Sequence, residues 1–224
     1  MTRVRHASLI EGARGATGTA VIIDVFRAFS TAAFCIGAGA REIVLVGRPE
    51  EAFAIRRDDP SVFLTGEVDG RPIDGFDAGN SPSQIVGLDL AGRRVVQRSS
   101  SGTQGVVAAS GAEEIVLGSF VIARATCRYV VSRDRAVTLV AMGDRGEEPN
   151  PEDESCSSHM QALLSDQPSD ASALIAALPQ WRNERWPWWF PRRDAELACE
   201  VDRFDFALPV TREGGLHVAR PVRP

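Results

Sequence analysis

The chain has 224 residues, 44% of them hydrophobic and 25% charged, and its formal net charge is −5. That length supports one sizeable core without disulfide or metal staples, or one domain with a smaller appendage. The acidic balance excludes a general binder of nucleic acid or anionic membrane, which needs a basic field.

Taken in order, the chain alternates short apolar runs with helix-like runs. A first strand is expected around residues 7–10, followed by a glycine-rich loop over 12–18. Residues 20–25 form an apolar strand that delivers Asp24, and Arg27 follows three positions later. A helix of small residues starts at Ala28 or Ser30 and stops at the glycines near 37–39. Residues 42–46 are the next strand, and Pro49 opens a helix through Arg57. Residues 61–65 form a strand that runs into Gly66-Glu67-Val68-Asp69-Gly70. In the turn-rich loop 74–82, Ser81, Pro82 and Gln84 read as a capping box. Strand 94–97 feeds Arg98 and the run Ser99-Ser100-Ser101-Gly102-Thr103-Gln104-Gly105, with a helix at 106–110. Strand 114–117 precedes a helix at 121–131. Strand 137–141 feeds Met142-Gly143-Asp144-Arg145-Gly146, then an acidic run and a helix from about Asp153.

This alternation predicts an α/β fold, three-layer α/β/α, with a mostly parallel central sheet. Residues 1–165 form the main domain. Residues 166–224 form a less regular extension packing on the same domain, with late strands at 201–208 and 216–218. Four tryptophans crowd residues 181–190; such a cluster can serve as a nucleotide or partner platform, but more often it packs an extension down or covers an oligomer interface.

Parallel strands set their carboxyl ends on one edge, so the loops after them should converge. Those loops bring Asp24 with Arg27, Glu67 with Asp69, the 99–103 run, and Asp144 with Glu152 and Asp153. The serine-glycine run is suited to a phosphate, because glycine lets amides approach and hydroxyls donate. It serves equally well as an ordinary helix N-cap. The chain has no lysine, so this is not a Walker A loop. Asp24, Glu67, Glu152 and Asp153 are oxygen donors of the kind Mg²⁺ takes. Acids at 152–154 also simply favour a helix N-terminus. Arg27 reads as an anion clamp or as a salt bridge to Asp24.

Three patterns are decoys. Cys35 and Arg41 have C-x5-R spacing, but Cys35 falls inside a helix-like run and Arg41 beyond its glycine cap. Phe26 replaces the second acid of a DxD motif. Cys156 and His159 make half a zinc site without a second pair. The four cysteines form no CxxC pair and read as reduced thiols. With no signal-like or membrane-length apolar run, a cytoplasmic protein is expected.

Several of these stretches, together and in this order, resemble the 2-phosphosulfolactate phosphatase family of coenzyme M biosynthesis. They are Val21 to Arg27 with Ser30-Thr31, Gly39-Ala40-Arg41-Glu42-Ile43, Thr65-Gly66-Glu67 and Gly75-Phe76-Asp77-Ala78-Gly79-Asn80-Ser81-Pro82. Ser101-Gly102-Thr103, Gly118-Ser119-Phe120 and Pro151-Glu152-Asp153-Glu154-Ser155-Cys156 complete the set. The likeness covers residues 7–165 and, more weakly, 194–209. It implies a Mg²⁺-dependent phosphoric monoester hydrolase that converts (2R)-2-phospho-3-sulfolactate to 3-sulfolactate and phosphate. It implies catalytic roles for Asp24, Arg27, Glu67, Ser101 and Glu152, and substrate binding by Asn80, Ser81, Gly102 and Thr103. Asp24, Glu152 and Asp153 would hold the metal. A second arginine, Arg98 or Arg128, would meet the sulfonate or carboxylate. The attacking group stays open between a water and a side chain. Partners are a small phosphoester, with neither nucleic acid nor membrane, and a homodimer as an open option.

The chain departs from the family pattern at Ser101, where asparagine is expected, and at Ser157-Ser158, where alanine-glycine is common. The tryptophan-rich segment is a third departure. These changes motivate the rival reading, a non-catalytic binding module for a small phosphorylated metabolite.

Overall fold

The computed structural model describes residues 3–224. The elements run β1 (Val4–Ser8), α1 (Leu9–Arg14), β2 (Thr19–Ile23), α2 (Ala28–Gly37), β3 (Glu42–Val46), α3 (Pro49–Asp58) and β4 (Phe63–Val68). Short β5 (Arg71–Pro72), β6 (Ala78–Gly79) and α4 (Pro82–Ile85) follow. Then come β7 (Arg94–Arg98), α5 (Gly102–Ala108), β8 (Glu114–Gly118), α6 (Ala123–Ser132), β9 (Val137–Ala141) and α7 (Pro151–Leu164). The chain ends with α8 (Ala171–Ala176), α9 (Arg192–Ala198), β10 (Leu208–Glu213) and β11 (Leu216–Ala219).

The α/β expectation holds: a mixed, mostly parallel sheet lies between two sets of helices. Strands β2, β3 and β9 are buried along their whole length, as in sheets covered on both faces. Alternate residues divide between those faces. Ala20 and Ile22 of β2 join Phe29 of α2 and Val106 of α5, whereas Val21 and Ile23 face Cys127 of α6 and Cys156 of α7. In β3, Ile43 and Leu45 share the first cluster, and Val44 and Val46 meet Ala52 of α3. Each fully buried Ile, Leu or Phe side chain contributes roughly 1.5–3 kcal/mol, so these faces hold the layers together.

The strand order is β1-β9-β2-β8-β10-β11-β3-β7-β4-β5, with β6 beside β4. The C-terminal hairpin β10–β11 thus sits inside the sheet. It pairs antiparallel with β8 on one side and β3 on the other. Three successive antiparallel pairings make β3, β7 and β4 run opposite to β2, β8 and β9 across the sheet.

Loop convergence therefore does not come from one shared strand edge. In a flat sheet, five strand spacings would put β2 and β7 about 24 Å apart. Yet the Gly102 N–H at the start of α5 lies 2.7 Å from Asp24 Oδ2. The sheet curls around α2 and α5, and α5, which follows β7, packs against β2.

Several boundaries differ from expectation. The first strand lies at Val4–Ser8, and Ile10 falls in α1, which occupies part of the expected glycine-rich loop. Packing of α1 on α5 and β9 overrides its local composition. Helix α5 starts at Gly102, and the late strand begins at Leu208. The expected capping box is absent: Ser81 Oγ donates to Asp194 instead, and Gln84 Oε1 accepts from the Gly79 N–H. Cys35 is fully buried in α2, and burial pushes its thiol far up, which disposes of the C-x5-R reading.

Candidate active site

A narrow polar cleft lies where the loops after β2, β4, β7 and β9 meet. It holds about 70 Å³ of water-accessible space. Its walls include Asp24, Glu67, Asn80, Ser101, Asp144 and Arg145.

Asp24 stands at its centre and is almost fully buried. Its Oδ1 accepts from the Ala28 N–H at 2.9 Å and its Oδ2 from the Gly102 N–H at 2.7 Å. Those bonds favour the carboxylate, but burial outweighs them and the Glu67 charge adds to it, so the pKa rises to about 6. Glu67, the penultimate residue of β4, ties two loops together. It accepts from the Gly70 N–H at 2.6 Å, the Ser100 Oγ at 3.0 Å and the Ser100 N–H.

Asp153 and Glu152, in the first turn of α7, are buried but do not line the cleft. Asp153 accepts from the Val25 N–H at 2.7 Å and the Gly143 N–H at 2.9 Å, joining the loops after β2 and β9. Burial, with the Asp24 and Glu152 charges, pushes its carboxyl well above the usual range. Glu152 is pushed up to about 7, by burial first and then by the charges of Asp24 and Asp144, although Gln180 Nε2 donates to it at 2.6 Å.

Arg27 does not pair with Asp24. Its Nη1 lies 3.0 Å from Asp194 Oδ2 in a buried ion pair. The same guanidinium donates to the Trp189 and Gly70 carbonyls and lies 4.5 Å over the Phe190 ring. Asp194 also accepts from Ser81 Oγ and from the Ser83 N–H and Oγ. The tryptophan-rich segment therefore packs against the back of the site through Arg27.

A family model described as 2-phosphosulpholactate phosphatase matches residues 6–186. The chain belongs to the 2-phosphosulpholactate phosphatase family. Its relatives include a probable 2-phosphosulfolactate phosphatase of Bacillus subtilis (strain 168), 31% identical over 64% of this chain and 63% of the relative. Proteins of the same description from Deinococcus radiodurans and Caldicellulosiruptor saccharolyticus are 40% and 41% identical. They match over 57% and 50% of this chain, and 54% and 46% of their own lengths. The matches thus span about half to two thirds of the curated relatives.

Of the family-implied residues, Asp24, Arg27, Glu67, Asn80 and Ser101 line the cleft. Ser101 Oγ donates to the Gly143 carbonyl at 2.7 Å, so this departure from the family pattern acts as a strut between two loops. Gln97 Nε2 donates to Asn80 Oδ1 at 3.2 Å, so that bond uses the Asn80 oxygen and not its amide protons. Gly102 contributes its N–H. Thr103 Oγ1 accepts from the Ser99 N–H and donates to the Ser99 carbonyl inside the loop, and Ser81 turns to Asp194. Arg98 is engaged by the Glu67 and Gly47 carbonyls and Ser100 Oγ. Arg128 lines a separate surface cleft beside α7.

The sequence reading missed Asp194, Asn150 and Arg145 as members of the site. Asp194 opens a helix, where an acid is unremarkable. Only its complete burial reveals another role.

Among the described residues, no three His, Cys, Asp or Glu side chains converge as a ready metal cage. Mg²⁺ does not require one, since it keeps several waters and takes one or two carboxylates. The donor set suits it. Asp24 and Glu67 are the acids on the cleft wall, the buried Glu152 and Asp153 add charge that acts with that of Asp24, and the nearest buried arginine is committed to Asp194.

Proposed function

We propose that this chain is a Mg²⁺-dependent phosphatase acting on a small, multiply anionic phosphoester, 2-phosphosulfolactate. One observation carries the reading. A buried carboxylate, Asp24, receives the amide at the start of α5 and faces a cleft walled by Glu67, Asn80 and Ser101. Family membership and the names of the relatives support the choice of substrate.

Asp24 and Glu67 are the carboxylates on the cleft wall and would hold the ion. Glu152 and Asp153 add negative charge behind them. An ion there supplies neutralisation of charge on the phosphoryl oxygens. The chain itself does the positioning. Ala28 and Gly102 fix Asp24, Glu67 holds the Gly70 and Ser100 amides, and Gln97 occupies the Asn80 carbonyl oxygen, so the Asn80 amide protons would be available to a phosphoryl oxygen. Asp153 and Ser101 lock the β9 loop against the rest of the site. Such preorganised polar groups stabilise developing charge without reorganising.

The test is phosphate release from 2-phosphosulfolactate, and from other 2-phospho-acids, with Mg²⁺ and then with EDTA. Turnover that requires the ion supports the proposal. Absence of turnover on every substrate, with thermal stabilisation by the same compounds, would replace it with a binding module.

A further inference from the structure

The proposed substrate brings a phosphate, a carboxylate and a sulfonate into a cleft whose charged walls are mostly acidic. The ion and the Asn80 amide would address the phosphate. Something cationic has to meet the rest, and most arginines near the site are already engaged. Arg27 is held by Asp194 and two carbonyls, and Arg98 by two carbonyls and Ser100.

Arg145 differs. It lines the same cleft as Glu67 and Asp24, on the loop after β9. Among the described residues its guanidinium approaches only Asp144 Oδ2, at 3.6 Å, and Asp69 Oδ1, at 3.9 Å. Both separations exceed a hydrogen bond. All three side chains are more than half exposed, so these contacts contribute little to stability.

The backbone beneath this loose side chain is tightly held. The Asp144 N–H donates to the Glu148 carbonyl at 2.7 Å, and the Gly146 carbonyl accepts from the Ile10 N–H at 3.0 Å. The Gly143 N–H is fixed by Asp153 and its carbonyl by Ser101. Gly143 is at φ +65° and a Cβ there would fall 2.1 Å from the Glu148 carbonyl oxygen. Arg145 itself is at φ +53°, a left-handed conformation uncommon outside glycine, asparagine and aspartate. A weakly paired planar fork on a tightly held loop at the cleft wall is suited to binding an anion.

We propose that Arg145 is the specificity residue that receives the non-phosphoryl anionic end of the substrate, carboxylate or sulfonate, exchanging its weak contact with Asp69 for a bidentate one. This rests on the phosphatase reading above. It makes the pocket selective for phospho-acids over neutral phosphate esters.

The test compares wild type with Arg145→Asn, which tolerates the left-handed backbone, and Arg145→Lys, which keeps charge without the fork. Substrates are 2-phosphosulfolactate, 2-phospholactate and β-glycerophosphate, which lacks both extra anions. In Arg145→Asn the kcat/KM preference for 2-phosphosulfolactate over β-glycerophosphate should fall at least ~tenfold, mainly through KM, the scale of a lost charge-assisted bond. Arg145→Lys should fall between. Loss of 2-phospholactate preference as well assigns the contact to the carboxylate, and its retention assigns it to the sulfonate. Equal effects on all three substrates, or none, overturn the proposal. A calorimetric arm separates the two readings. If wild type turns over nothing, the phosphatase reading fails, and Arg145 is judged by binding of 3-sulfolactate and inorganic phosphate. Arg145→Asn should then weaken sulfolactate at least ~tenfold more than phosphate. Equal weakening, or no sulfolactate binding by wild type, overturns it.

Discussion

The Gly102 N–H donates to Asp24 Oδ2 at 2.7 Å, and a methyl group on Gly102 would lie 2.7 Å from that same oxygen and 3.0 Å from the Phe29 ring. The glycine is needed for close approach of α5 to the carboxylate. Gly102→Ala should displace Asp24 and lower kcat/KM by about tenfold or more. Overpacking against Phe29 should also cost about 1–3 kcal/mol of stability. Steady-state kinetics and urea unfolding read the two effects. An alanine variant with wild-type kinetics would show that the contact does not position Asp24.

Asp24→Asn removes the charge while keeping the shape. Its amide can accept only one of the two N–H groups now bonded to Asp24. Activity should fall roughly 10²-fold or more, the scale of one positioned catalytic group, and Mg²⁺ should lose most of its stabilising effect. Phosphate release and a thermal-shift titration with Mg²⁺ check both. Full activity would remove Asp24 from the mechanism.

The Arg27–Asp194 pair is buried on both sides. Asp194→Ala strands the guanidinium and three further donors from Ser81 and Ser83. Leaving a buried charge unpaired should cost about 3–5 kcal/mol. Arg27→Met combined with Asp194→Leu should recover a large part of that. Guanidinium chloride unfolding of the three proteins forms the comparison, and a double variant less stable than Asp194→Ala would refute it.

Three site carboxyls have folded pKa values raised by burial and mutual charge: Asp24 to about 6, Glu152 to about 7, and Asp153 well above the usual range. The folded chain therefore binds more protons than the unfolded one above the ordinary carboxylate range. Their stabilising contribution is intact below pH ~4 and is lost as pH rises through 6 and 7. An ion held at Asp24 would need its ionised form, with Glu152 and Asp153 ionised behind it, so the effect of Mg²⁺ on Tm should be small near pH 5 and grow through pH ~7.5. Thermal unfolding across that range, with Mg²⁺ and with EDTA, measures it. A Mg²⁺ shift that shrinks with rising pH would contradict this account of the cluster.

Much of the site was legible because its carriers are local. A β-branched run ending in Asp24, the Gly66-Glu67 pair and the Ser99 to Thr103 turn each announce themselves within ten residues. Asn80 came from the family-like run around it. The partner of Arg27 was not legible, because Asp194 lies 167 positions away and is chosen by what α9 packs against. Arg145 was passed over because nothing local separates an exposed loop arginine from a solvated one. Its value comes from its place on the cleft wall.

The sequence by itself determined the alternation of strands and helices and the acids and hydroxyls that end the strands, because periodicity and turn chemistry act over a few residues. Only the tertiary structure decided that β10 and β11 enter the middle of the sheet, that its two parallel groups run in opposite senses, and that the sheet curls around α2 and α5. Those choices rest on burying both faces of an eleven-stranded sheet at once. That is a global requirement, and no single stretch of the chain records it.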